Sequence, residues 1–203
     1  MIKRGNRKQF KEFVQFLKLN KHSHNKIRLK LNNLIEQGID LNQKGYMGRT
    51  LLHNAVLLKD KKIMQIFIEA GVYVDLADKQ GLTPLHQAIL LNRLDLVEFL
   101  VNNNADVNIG AEMEETPLHV AVSISSLPII KYLIENGADY NMVDENNLSP
   151  LDYAIDEQNI DVLNYFIGLS IDEAKLFELQ EVLERSMNGK SWSNKEVFYW
   201  LHK

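Results

Sequence analysis

The chain has 203 residues, 45% of them hydrophobic and 25% charged, with a formal net charge of −4 and no cysteine. These are the proportions of an ordinary water-soluble protein. The missing cysteine excludes disulfides, thiolate zinc sites and cysteine nucleophiles, and no apolar run approaches the ~20 residues that span a bilayer.

The basic start, Met1 to Asn6, leads into no apolar stretch, which argues against a secretory signal. A cytoplasmic location is therefore expected, or a host-cell cytoplasm for a secreted bacterial protein. The net charge hides an asymmetry. Residues 1 to 30 hold ten Lys or Arg and one acid, a net +9. The other residues hold 13 basic and 26 acidic groups, a net −13. Such a molecule is an electric dipole along its length.

In chain order, Phe10, Phe13, Val14 and Leu17 fall on one helical face, with Lys8, Lys11 and Lys18 on another. His22 and His24 lie in a segment, Asn20 to Asn25, that reads as a solvated linker. A second helix, about Lys26 to Gln37, sets Leu31, Leu34 and Ile35 in register with Met64, Phe67 and Ile68. Four strings then recur at a step of 33 residues: Thr50-Leu51-Leu52-His53, Thr83-Pro84-Leu85-His86, Thr116-Pro117-Leu118-His119 and Ser149-Pro150-Leu151-Asp152. A second series keeps the same step: Gly38 to Asn42, Gly71 to Asp75, Asn104 to Asn108 and Gly137 to Asn141.

Within each period Thr or Ser is placed to cap a helix. Pro84, Pro117 and Pro150 follow at the first helical position, where a missing N–H costs nothing. The first helix carries small residues, such as Ala88-Ile89, and the second carries larger ones, such as Leu96, Val97 and Leu100. Gly71, Asn104 and Gly137 suit the left-handed residue that ends a helix. Gly48 and Gly81 stand where the preceding turn wants a positive φ, but Glu114 and Asn147 replace them later. The third turn, Ala111 to Glu115, is therefore expected to be reshaped. At the far end, Ser170-Ile171-Asp172-Glu173 and Ser193-Asn194-Lys195-Glu196 read as capping boxes. Trp192, Phe198 and Trp200 read as a hydrophobic lid or, alternatively, a binding surface.

The two series resemble the ankyrin repeat, a turn plus two helices per unit. The resemblance covers roughly residues 26 to 169. It implies an all-α repeat solenoid forming one domain: a helical cap over 1–44, repeats over 45–77, 78–110, 111–143 and 144–169, and a second cap over 170–203. It also implies that His53, His86 and His119, with their threonines, tie neighbouring turns by hydrogen bonds. Asp152 leaves that tie in doubt in the last repeat. A metal is not expected on the histidines. Packed helices lie about 8–10 Å apart, whereas zinc ligands lie about 2 Å from one ion.

No Gly-rich phosphate loop, nucleophile elbow or His-Glu-x-x-His helix is present. Acidic pairs such as Glu114-Glu115 and Asp156-Glu157 sit on a turn or a helix surface, without the pocket that would shift one pKa. No enzymatic activity, cofactor or small-molecule substrate is expected. The resemblance instead implies protein binding along the turn tips and first helices, which form a concave face. The matching residues are Tyr46, Met47 and Arg49, then Lys79, Gln80, Leu82 and Gln87. Glu112, Met113, Glu115 and Val120 follow, then Glu145, Asn146, Leu148, Tyr153, Asp156 and Glu157. Asn54, Leu57, Leu90, Leu91 and Ser123 belong to the same face, and some of these residues, Leu57, Leu90 and Leu91 above all, could instead pack between repeats.

Tyr46 and Tyr153 are expected to point away from the repeat core as anchors. The expected partner is one protein with a basic region, bound to a monomer. The chain would act by occupancy, as inhibitor, immunity protein, adaptor or effector. The alternative is a contact of the basic N-terminal segment with nucleic acid or an anionic membrane.

Overall fold

The computed structural model describes residues 4–157 and 159–169. Among them are ten α-helices and no strand. The segment 170–203, with both capping boxes and the Trp192, Phe198 and Trp200 cluster, lies outside the described residues.

The chain opens with a helix pair, α1 (Arg4–Leu19) and α2 (His24–Glu36). Four further pairs follow: α3 (Leu51–Leu58) with α4 (Lys61–Glu69), and α5 (Pro84–Leu90) with α6 (Leu94–Val101). The last two are α7 (Pro117–Ser123) with α8 (Leu127–Glu135), and α9 (Pro150–Asp156) with α10 (Ile160–Ile167). First helices pack on first helices along the row α3, α5, α7, α9, and each packs on its own second helix. The core is a ribbon running through all five pairs, as a solenoid requires.

The opening pair belongs to this ribbon. Phe13 is fully buried and meets the ring of Phe67 edge-on, 6.2 Å between centroids. Leu31 and Leu34 are buried as their register demands, but Ile35 stands in solvent. His24 is not in a solvated linker. It begins α2, and its Nε2 lies 2.8 Å from Oδ2 of Asp60. Asp60 in turn caps α4 by accepting the Lys62 and Ile63 amides. Arg28 adds a second tie, 2.9 Å to Glu69.

The four strings cap their helices alike. Thr50, Thr83 and Thr116 each accept the amide of the histidine three residues on. The backbone N–H of each threonine donates to that histidine's Nδ1. In the last repeat Asp152 substitutes for the ring and accepts both the Ser149 amide and the Ser149 hydroxyl at 2.6 Å. The local cap survives the change of residue.

The second series has its own cause. The Asn42 side chain accepts the Tyr73 amide and donates to the Gly71 carbonyl of the next loop. Asn108 does the same to the Asp139 amide and the Gly137 carbonyl. Asp75 accepts the Asp106 amide but has no N–H to give. A side-chain amide therefore bridges one loop to the next, and the carboxylate keeps only half of the bridge.

Candidate protein-binding surface

Each repeat begins with a turn closed by one backbone bond. These run from Gly45 N to Arg49 O, Asp78 N to Leu82 O, Ala111 N to Glu115 O, and Asp144 N to Leu148 O, each 2.8–2.9 Å. The turns come in two kinds. Asp78 accepts the amides of Gln80 and Leu82 on one carboxylate oxygen, and Asp144 accepts those of Asn146 and Leu148. These two turns need one left-handed residue each, Gly81 and Asn147. Gly45 and Ala111 have no such acceptor. Their turns take two left-handed residues in succession, Met47-Gly48 and Met113-Glu114. The third turn is reshaped, but not because Glu114 avoids a positive φ: it holds φ +59°, and the first turn, with Gly48 at that place, has the same form. What the two share is the lack of the aspartate.

Neighbouring turns are joined by single backbone bonds of 3.0 Å: Lys79 N to Met47 O, Glu112 N to Gln80 O and Glu145 N to Met113 O. The histidines add a second stitch. Nε2 of His53, His86 and His119 lies 2.9, 3.2 and 3.0 Å from the carbonyls of Leu82, Glu115 and Leu148. Because Nδ1 accepts a backbone N–H, Nε2 must carry the proton and donate. Both ring nitrogens are therefore occupied, and neither has a lone pair to offer a metal.

The row of turns brings Tyr46, Met47, Lys79, Gln80, Glu112, Met113, Glu145, Asn146 and Leu148 together in solvent. Tyr46 is 86% exposed, Met47 38% and Met113 45%. The left-handed backbone at both methionines holds an apolar side chain at the tip of a turn. Asp156 and Glu157, at the end of α9, are exposed as well. Leu57 and Leu90 also stand in solvent, whereas Leu91 packs against the core.

Four of the expected residues are half-buried: Arg49, Leu82, Glu115 and Tyr153. Two are corrected outright. Gln87 and Val120 are only 9% and 6% exposed, because the first helices pack tightly enough to close over them.

Tyr153 also departs from expectation. Its hydroxyl lies 2.8 Å from Oε1 of Glu115 and 2.9 Å from Oδ2 of Asp144. Its ring meets His119 edge-on at 5.1 Å. Burial, then the two carboxylates, push its pKa well up, so it stays a donor at any ordinary pH. Burial alone would raise the Asp144 carboxyl, but hydrogen bonds from the Leu148 amide, Tyr153 and Asn146 outweigh it and hold it low. Tyr153 thus braces the third turn against the fourth.

Burial lowers the pKa of His53, His86 and His119, against carbonyl bonds that favour the charged ring. His86 falls from 6.5 to about 4. In the unfolded chain it takes up its proton near pH 6.5; folded, it stays neutral down to about 4. The unfolded state binds more protons between those values, so stability present above pH 6.5 drains away as pH falls through this window. His86 alone accounts for roughly 3 kcal/mol between pH 7.5 and pH 4. Urea midpoints at the two pH values measure it. A parent and a His86→Gln variant with equal pH dependence would refute the assignment.

Stacked helix pairs joined by stitched turns make this a helical repeat protein. A family model of ankyrin repeats in three copies matches residues 7–111. A second ankyrin repeat model matches residues 110–154. The chain belongs to the ankyrin repeat family. The first match begins inside α1, so it takes in the opening helix pair. Ankyrin repeats are generally protein–protein interaction modules and typically non-catalytic. No curated protein matches the chain.

Proposed function

We propose that the chain binds a single protein partner along the row of turns, without catalysis of its own. It acts by occupancy, as an inhibitor, immunity protein, adaptor or effector, working as a monomer in the cytoplasm. The observation that carries this reading is the continuous exposed ribbon holding Tyr46, Met47 and Met113, joined turn to turn by backbone bonds. Exposed apolar side chains set among charges are the composition of an interface with a polar rim.

The partner's basic part lies toward the third and fourth repeats. Glu112, Glu115, Glu145, Asp156 and Glu157 gather there, while Arg49 and Lys79 stand at the other end. Long-range charge sets the encounter rate, and buried anchors set the lifetime. With the partner captured and purified, reversing Asp156 and Glu157 to Lys is expected to slow association and weaken its salt dependence. Tyr46→Ala is expected to speed dissociation by roughly 30-fold, about 2 kcal/mol, and to leave unfolding unchanged. Tyr153→Ala also removes the brace to Glu115 and Asp144, so it lowers stability as well as affinity. Surface-binding kinetics decide the matter. Parent-like rates in the Tyr46 and the Asp156/Glu157 variants together would refute the surface.

A further inference from the structure

At the junction of the opening helix pair and the first repeat, Phe10 of α1 packs against Gly45, and α1 and the turn at Tyr46 together line a hollow. The hollow has a volume of about 560 Å³. Six cations line it: Arg7, Lys11 and Lys18 from α1, Lys44 and Arg49 from either side of the first turn, and Lys79 from the second. No acid lines it. Elsewhere Arg28, Arg93, Lys61 and Lys8 each face a carboxylate. Among the described residues none of the six does.

The chemistry of the occupant follows from charge and size. Six unpaired cations around one hollow repel each other unless several negative charges enter together. A carboxylate brings one charge, whereas a phosphomonoester brings about 1.5–2 in a compact group with three acceptor oxygens. About three such groups neutralise the site. The volume lies within the roughly 300–1,000 Å³ of small-ligand pockets. Arg7 and Arg49 provide planar forks suited to phosphate, and the lysines provide point charges.

We propose that this hollow binds a compact polyol carrying several phosphomonoesters, of the inositol polyphosphate class, either free or as a lipid headgroup. It is a second site beside the protein-binding row and shares Tyr46, Arg49 and Lys79 with it. Lys18 and Lys44 belong to the hollow alone, so substitutions there test it without touching the row.

The experiment titrates the full chain calorimetrically with inositol hexakisphosphate and with inositol trisphosphate. One site is expected. Lys18→Glu with Lys44→Glu weakens it by at least about tenfold, and Lys18→Gln with Lys44→Gln weakens it less. Lys26→Glu with Lys30→Glu carries the same charge change on exposed positions of α2 outside the hollow and leaves affinity within about twofold. Thermal melts confirm that each variant is folded. Phosphatidylcholine vesicles carrying phosphatidylinositol bisphosphate separate the sources. Co-sedimentation that soluble inositol hexakisphosphate reverses assigns a lipid headgroup, and soluble binding without co-sedimentation assigns a free ligand. No binding at low salt, or equal weakening by the hollow and control pairs, would overturn the proposal. So would a single-stranded oligonucleotide that binds more tightly than the inositol phosphates and is indifferent to the hollow pair.

Discussion

His86→Ala is expected to lower the free energy of unfolding by about 3 kcal/mol or more. The ring is fully buried. Its Nδ1 accepts the Thr83 amide at 3.2 Å and lies 2.9 Å from the Thr83 hydroxyl, and its Nε2 donates to Glu115 O at 3.2 Å. Alanine leaves a void where the ring stood. It orphans the Thr83 N–H at the start of α5 and leaves the Glu115 carbonyl with the Ala111 amide alone. A cavity and an unsatisfied buried donor are each costly, and here they coincide. The loss also reaches the binding row, because this bond is one of two stitches between the second and third turns. Urea unfolding measures the stability. Amide exchange at Glu112, which donates the other stitch to Gln80 O, measures the loosening. A variant within about 1 kcal/mol of the parent would show that the ladder is not what holds the turns.

Gly81→Val is expected to be of similar size, for a different reason. Gly81 has φ +72°, and a Cβ there would lie 2.6 Å from the Glu112 nitrogen and 2.8 Å from the Ala111 carbonyl carbon. Those atoms are backbone of the next turn and cannot swing aside. The left-handed conformation costs a non-glycine residue about 1–2 kcal/mol, and β-branching makes it worse. Relief of the clash requires the second and third turns to separate, so the total is about 3 kcal/mol or more. The matching position of the third turn gives the opposite sign. Glu114 already holds φ +59°, so Glu114→Gly is expected to raise stability by about 0.5–1 kcal/mol. Thermal unfolding of the two variants tests both. Equal shifts in one direction would contradict this account of the turns.

The 33-residue step, the Thr caps, Pro84, Pro117 and Pro150, and the glycines at helix ends were all legible, because each acts within one repeat. What escaped the sequence depends on how repeats meet. Gln87 and Val120 were counted as surface, yet the spacing of α5 and α7 decides whether a first-helix side chain reaches water. Tyr153 looked like a free anchor because its partners, Glu115 and Asp144, are 38 and 9 residues away. His24 looked solvated because Asp60 lies 36 residues on. The role of Asp78 and Asp144 was within reach, since only repeats with Asp at that place keep a single left-handed residue. So was the Asn42, Asp75, Asn108 ladder, because an amide or carboxylate that returns every 33 residues has the same donor or acceptor to meet each time.

Oxidative footprinting of the captured complex tests directly which face the partner covers. Tyr46, Met47 and Met113 are exposed and oxidisable on the row. Tyr73, 64% exposed on the loop after α4, lies off it, and Met64 is buried in either case. Binding is expected to protect Tyr46, Met47 and Met113 from hydroxyl radicals while Tyr73 reacts as it does in the free protein. Protection of Tyr73 with the two methionines still reactive would place the partner on another face and contradict the account.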